Sequence, residues 1–215
     1  MQFFIDNFPL LRDAFLKTLE LSVLAGLLAL VLGTLLAAFR VSPITPLRGL
    51  ATFYVETFRN TPLTVVFFFI IFGLPQIDFA VDFFTGAVLS VGLYTAAFVC
   101  EAVRSGINAV SPGQAEAARA IGLTFGQSLR EIVLPQAFRT VVPPLGNVWI
   151  AMVKNTSIAA GFSVTELSST LPRLVNADAG DLTLILIGVV AGYMLITLPS
   201  AFAIHRLERR VAILR

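Results

Sequence analysis

The sequence predicts an all-α integral membrane protein with five transmembrane helices, and three observations carry that expectation. Of 215 residues, 57% are hydrophobic and only 13% are charged. With a mean hydropathy of +0.87, the chain lies well outside the soluble globular range. Apolar stretches of about twenty residues recur along it, the length that crosses a hydrocarbon core about 30 Å thick. The basic residues fall in alternate connections, the sidedness of a multi-span protein.

The first span covers residues 19–39, apolar but for Glu20 near its start. Asp6 and Asp13 precede it without the basic leader and cleavage pattern of a signal peptide, so the run is expected to stay in the mature protein. Arg40, Pro43, Pro46 and Arg48 make a short basic loop in which the prolines stop the helix. The second span, residues 50–73, is divided: Glu56, Arg59, Asn60, Thr61 and Pro62 fill its first half, and its second half is apolar and rich in phenylalanine. A turn over 75–82 with Asp78 and Asp82 leads to the third span, residues 83–104, which holds Ser90, Tyr94, Thr95 and Glu101.

Residues 111–135 are polar and basic and must sit in water. Ser111, Pro112 and Gln114 have the pattern of an N-cap, a first-position proline and a capping-box partner, and Gly122 supplies a left-handed stop. Thr124 and Gln127 repeat the box, so a second short helix is expected from about residue 125 to 134, ending at Pro135. The result is a helix–glycine–helix elbow with Ala117, Ala118 and Ile121 on one side and Glu116, Arg119 and Arg130 elsewhere. Such a surface suits a partner's groove; capping and amphipathicity alone equally describe an ordinary connection between spans.

The fourth span, residues 141–163, carries an unusual polar load in Pro143, Pro144, Asn147, Trp149, Lys154, Asn155, Thr156 and Ser157. Ser163 with Glu166 has the spacing to cap a short external helix. The fifth span, residues 182–204, contains the pair Gly188 and Gly192, suited to close helix packing within the subunit. It ends in a basic anchor of His205, Arg206, Arg209 and Arg210. No repeat or composition shift divides the chain, so one transmembrane domain over residues 1–215 is expected.

Arg40 and Arg48, then Arg104, Arg119, Arg130 and Arg139, then Arg206, Arg209, Arg210 and Arg215 all fall on one side, which the positive-inside rule makes cytoplasmic. The other side carries Asp6, Asp13, Asp78, Asp82, Glu166, Asp178 and Asp181 against Arg12, Lys17 and Arg173. The N-terminus is then outside and the C-terminus inside.

Composition also excludes functions. A formal charge of +2 with dispersed basic residues gives no nucleic-acid surface. One cysteine, Cys100, and one histidine, His205, allow neither a disulfide nor a metal cluster. The two lysines, Lys17 and Lys154, follow no glycine-rich phosphate loop, so the chain is not an ATPase, and no catalytic constellation is apparent.

Charges inside spans cost a few kcal/mol unless they face protein or water, which makes Glu56, Arg59, Glu101 and Lys154 functional candidates. Glu56 and Arg59, and likewise Glu101 and Arg104, are three residues apart and equally suited to neutralising one another. Lys154 has no charged neighbour within a turn and needs a partner from another helix or a ligand.

Glu116, Ala117 and Ala118, with Gly122, Ile132, Leu134 and Pro135 at their spacing, resemble the cytoplasmic loop signature of binding-protein-dependent ABC importer permeases. The polar amino-acid branch of that family is similar elsewhere too: at Arg59, Thr61 and Pro62, at Glu101, Arg104, Gly106 and Ile107, and at Lys154, Thr156 and Ser157. Asn60 stands where that branch has glycine and Asn155 where it has aspartate; these departures resemble actinobacterial glutamate-uptake permeases. The resemblance covers most of the chain. It implies a type I ABC importer permease in which Glu116, Ala117, Ala118 and Gly122 form a coupling helix docked on a separate ATPase.

The partners it implies are an ABC ATPase dimer that holds ATP and magnesium, a second identical or homologous permease, an extracytoplasmic amino-acid-binding protein and the lipid bilayer; the chain itself needs no cofactor. Arg59, Asn60, Thr61, Glu101, Lys154, Asn155, Thr156 and Ser157 are the candidate substrate path. Replacing a carboxylate by Asn155 leaves Lys154 less neutralised, which favours an anionic substrate. An ion-coupled transporter or channel would also use midplane charges but lacks its expected inverted repeat here, and an assembly scaffold leaves the polar load of the second and fourth spans unexplained.

Overall fold

A computed structural model describes residues 2–177 and 182–211, with the backbone alone at residues 2–6, 125 and 211. Asp178, Asp181 and Arg215, which entered the sidedness argument, lie outside the described residues. Every regular element among the described residues is helical. The helices from Asn7 to Val41, Phe83 to Asn108 and Leu182 to Arg210 are each long and apolar enough to cross a membrane, and a bent pair from Thr45 to Ile77 is apolar enough to make a fourth crossing.

Helix α1 spans Gln2–Val41, well beyond the expected residues 19–39. Its early charges do not break it because they pair along the surface, Arg12 with Asp13 at 2.7 Å and Lys17 with Glu20 at 2.8 Å. It crosses α4 (Phe83–Asn108) closely. Ala25, Ala29, Ala96 and Ala97 are fully buried in the core that includes this crossing. At Gly33 a side chain has no room: a Cβ would lie 2.7 Å from the Ala96 carbonyl. Small residues let the two backbones approach where the bilayer offers no hydrophobic drive of its own.

The second expected span is not straight. Helix α2 (Thr45–Arg59) and the segment that begins with α3 (Leu63–Phe68) are inclined by 105°. Pro62 lacks an N–H and forces an extended residue before it. Asn60 and Thr61 then close the end of α2, the Asn60 amide donating to the Glu56 carbonyl and the Thr61 hydroxyl to the Thr57 carbonyl, both at 2.8 Å. A π-helical turn at Phe69–Gly73 and a 3₁₀ turn at Leu74–Ile77 complete the segment. Phe162 stacks on Phe67 at 4.8 Å and meets Phe68 edge-on at 5.0 Å, which fixes α3 against the chain that follows the fourth span.

After α5 (Pro112–Ala120), the single turn α6 (Phe125–Gln127) passes through a π-helical stretch, Ser128–Val133, into α7 (Leu134–Asn155). Pro135 therefore does not end a helix, contrary to the sequence expectation. It lies in the first turn of α7, and the wide π turn before it accommodates both its missing N–H and its ring. The fourth expected span also changes form at its end: α7 stops at Asn155, a 3₁₀ segment covers Thr156–Phe162, and Ser163 is left-handed at φ 61°. The N-cap of the next turn is Glu166 and not Ser163, with Ser169 as its reciprocal partner. Helices α8 (Thr170–Ala177) and α9 (Leu182–Val211) follow. Gly192 of α9 faces Leu167, where a Cβ would come within 2.9 Å, so this glycine serves packing inside the chain.

Glu166 is wholly buried. Its carboxylate accepts the Ser169 N–H at 2.9 Å and the Tyr193 hydroxyl of α9, while the neighbouring Leu167 N–H donates to Thr18 of α1 at 2.9 Å. Burial pushes this carboxyl above the usual glutamate range, against the opposing pull of those hydrogen bonds. A raised native pKa adds stability that is fully present below the ordinary glutamate value and is lost as pH rises through the native one. The melting temperature of the detergent-solubilised protein is therefore expected to fall as pH rises above that ordinary value, and Glu166→Gln to flatten the dependence. An identical pH profile in Glu166→Gln refutes this.

Candidate functional site

The elbow is built as a Schellman turn. Gly122 is left-handed at φ 91°, its N–H donates to the Arg119 carbonyl at 3.0 Å, and the Leu123 N–H donates to the Ala118 carbonyl at 3.1 Å. The Ser111 side chain makes no cap bond, so the expected first capping box is absent; Pro112, which has no N–H to satisfy, begins the helix without it. The second box is made: the Thr124 N–H donates to the Gln127 side-chain carbonyl at 2.9 Å, and the Gln127 N–H returns a 3.4 Å bond to the Thr124 hydroxyl. Ala118 is buried, whereas Glu116, Ala117 and Gly122 are exposed and Ile121 is 80% exposed. The Gly122 corner, a left-handed conformation that glycine adopts without strain, thus sits beside an apolar side chain held in solvent.

Three arginines from three helices converge on Glu101 of α4. Arg40 of α1 bonds one carboxylate oxygen, Arg104 of α4 the other at 2.9 Å, and Arg59 of α2 approaches to 3.6 Å. The Glu101–Arg104 pairing foreseen from spacing is present. The Glu56–Arg59 pairing is not: Glu56 receives the Asn60 amide at 3.3 Å, while Arg59 turns to Glu101 and lies over the Phe98 ring, 5.9 Å from its centroid.

Phe98 links this cluster to a recess between α4 and α7. The recess has a volume of about 330 Å3, with Tyr94 and Phe98 on one wall and Asn147, Ala151 and Asn155 on the other. Tyr94 and Phe98 sit 5.1 Å apart as a tilted ring pair. Two amides, a phenol and a nearby guanidinium, without a carboxylate in the lining, give a surface that binds polar groups and disfavours cations. Asn155 lines the recess, whereas Arg59 does not and reaches it only through the Phe98 ring. Tyr94 and Asn147 stand out in the sequence as polar residues within spans, but Phe98 has no sequence signal; it matters because it lies between the guanidinium and the amides.

The other candidates behave differently. Asn60 and Thr61 close α2 as described. Thr156 donates to the Val153 carbonyl at 2.7 Å and Ser157 to the Lys154 carbonyl at 2.8 Å, so both hydroxyls support the change from α to 3₁₀ geometry. Lys154 is exposed, and among the described residues its ammonium forms no ion pair or hydrogen bond. It does not reach Glu101, whose oxygens are held by arginines.

Helix α7 joins these parts. Gly106 of α4 receives Val141 so closely that a Cβ would be 2.0 Å from it, Thr140 donates to the Gly106 carbonyl at 2.9 Å, and the Trp149 indole donates to Ser200 of α9 at 3.1 Å.

A membrane-crossing helical chain with an exposed elbow on the helix that walls a part-polar recess has the build of a transport subunit. The chain belongs to the family described as binding-protein-dependent transport system inner membrane component, which it matches over residues 29–213. It is 42% identical to the glutamate transport system permease protein GluC of Corynebacterium glutamicum, across 97% of this chain and 96% of that one. It is 39% identical to the probable glutamine ABC transporter permease protein GlnM of Bacillus subtilis, across 96% and 95%. Among solved structures, a crystal structure of an amino acid ABC transporter with histidines matches at a TM-score of 0.89 and 32% identity, covering 96% of each chain.

Replacing Glu101 with glutamine leaves the part-buried guanidiniums of Arg40 and Arg104 facing one another, with the exposed Arg59 beside them. The expected loss is about 3 kcal/mol, at the lower end for a broken buried ion pair because these side chains keep some water. Thermal unfolding of Glu101→Gln beside Glu101→Asp checks it, and a loss below about 1 kcal/mol, the scale of an exposed pair, contradicts it.

Proposed function

We propose that the chain is the membrane-embedded subunit of an ATP-driven importer of glutamate or another acidic or polar amino acid, forming half of a translocation pore and driven by a separate ATPase. One observation carries this reading: the helical path that leaves the elbow at Phe125 continues through the π stretch to Asn155, so the exposed corner and the recess wall share one rod. A push on the elbow moves Asn147 and Asn155 directly. The likeness to GluC and GlnM supports an acidic or amide amino acid, and the carboxylate-free lining is compatible with both.

In this reading Glu116, Ala117, Ala118 and Gly122 form the coupling helix, and the ATPase dimer contributes ATP and magnesium. A second identical or homologous permease completes the pore, and an extracytoplasmic binding protein delivers substrate. Five spans in the plasma membrane, with the N-terminus outside and the elbow and C-terminus cytoplasmic, agree with the arginines at Arg40, Arg104, Arg119 and Arg206. Helix α7 is the fifth crossing in this arrangement, its polar residues turned to the recess and the partner. Arg59, with Lys154 and Asn155, lines the anionic path, and Glu101 holds Arg59.

The test is uptake by the complete complex in liposomes with binding protein supplied. Gly122→Asp, which places a side chain at φ 91°, is expected to abolish uptake and substrate-stimulated ATP hydrolysis while insertion persists. Asn155→Asp is expected to slow glutamate about tenfold, the factor carried by roughly 1.4 kcal/mol of repulsion, and to slow glutamine less. Normal coupling in the first variant overturns the elbow assignment; equal effects on both substrates in the second overturn the anionic path.

A further inference from the structure

We propose that the end of α9 carries a binding site for an anionic diacyl phospholipid, its phosphate held by Arg206 and Arg210. These arginines are one helical turn apart and border an open groove of about 370 Å3 whose remaining lining is Phe202, Ala203 and Leu207. Neither guanidinium forms an ion pair among the described residues. Glu208, the carboxylate nearest in sequence, is engaged by His205 at 3.1 Å. The groove therefore presents two uncompensated cations above an apolar floor.

Depth along the helix identifies the ligand. From Leu182 to Phe202 the rise is about 30 Å, the thickness of a hydrocarbon core. Over that length α9 turns Leu186, Val190, Leu195, Leu198 and Phe202 outward, each exposed. Arg206 stands one turn beyond Phe202, at the level where phosphates begin. Its guanidinium carbon lies 5.2 Å from the Phe202 ring centroid, a stacking that orients the group while leaving its in-plane N–H donors free for two phosphate oxygens. Arg210 supplies a second fork. Phe202, Ala203 and Leu207 offer free phosphate nothing but give an acyl chain a bed. Two cations also disfavour a headgroup with its own positive charge, which selects phosphatidylglycerol-type lipids over phosphatidylcholine.

The test uses the complete complex taken from vesicles of equal phosphatidylglycerol and phosphatidylcholine, with retained lipid counted by native mass spectrometry. The expected result is preferential retention of phosphatidylglycerol, reduced about tenfold or more in Arg206→Gln/Arg210→Gln. Arg206→Lys, which keeps the charge but loses the fork and the stack, is expected to be intermediate, and it carries the test alone if the double variant does not assemble. Arg48→Gln, which removes an exposed arginine elsewhere, is expected to have no effect. Equal loss in Arg48→Gln shows general surface charge and overturns the site. So does displacement of the lipid by millimolar inorganic phosphate, which identifies an ion site. Loss of the ATPase from the double variant with lipid retention unchanged assigns the groove to a protein partner and overturns the proposal as well.

Discussion

Glu101 is the one carboxylate on which the packing of α1, α2 and α4 converges, and its charge is insufficient for its neighbours. An uncompensated arginine within a span costs at least about 2.5 kcal/mol. A carboxylate about 4 Å away returns roughly 4 kcal/mol at the effective dielectric near a protein surface. Each guanidinium gains that attraction separately but is repelled by the other two, so with one negative charge against three positive ones the most weakly held arginine must keep water. Arg59 fits that role: at 3.6 Å it is the most distant of the three, and its side chain is 41% exposed against 15% for Arg40. The cluster fastens three helices and leaves Arg59, the least tightly held of its guanidiniums, beside Phe98 at the edge of the recess. The same arithmetic that stabilises the bundle leaves a cation at its polar face.

Backbone irregularity follows a related constraint. In lipid, an N–H or C=O without a partner costs several kcal/mol, so non-helical backbone within a span is tolerated only where protein or water satisfies it. The break between α2 and α3 obeys this: the Thr61 hydroxyl bonds the Thr57 carbonyl, and the Glu56 carbonyl accepts both the N–H and the side-chain amide of Asn60. The α7 terminus is treated in the same way by Thr156 and Ser157. Asn60, Thr61, Thr156 and Ser157 thus spend hydrogen bonds on the backbone, whereas Asn155 faces the recess together with Tyr94, Phe98 and Asn147.

Much of this was legible in advance because the bilayer imposes length and the caps impose boundaries. The apolar runs identified α1, α4 and α9, and Gly122 identified the corner of the elbow. Three features were hidden. The 105° bend at Pro62 is hidden because the polar first half and the apolar second half together have the length of one crossing, and hydropathy carries no angle. Continuation through Pro135 depends on a π turn that no composition rule announces. The partner of Arg59 was misjudged because spacing along a helix favours Glu56, whereas Glu101 is 42 residues away in sequence and reaches Arg59 only through the α2–α4 contact.

The polar groups that remain unused within the chain indicate where it is incomplete. Lys154 is exposed and unpaired among the described residues, although it ends a helix whose other faces are pinned by Val141 against Gly106 and by Trp149 against Ser200. Asn147 is likewise exposed on the same helix. A bare ammonium that faced lipid would meet the full insertion cost, so this side of α7 must face water or protein. An aqueous path shared with a second permease, as in the proposed complex, meets that requirement, and the elbow lies at the opposite end of the same rod.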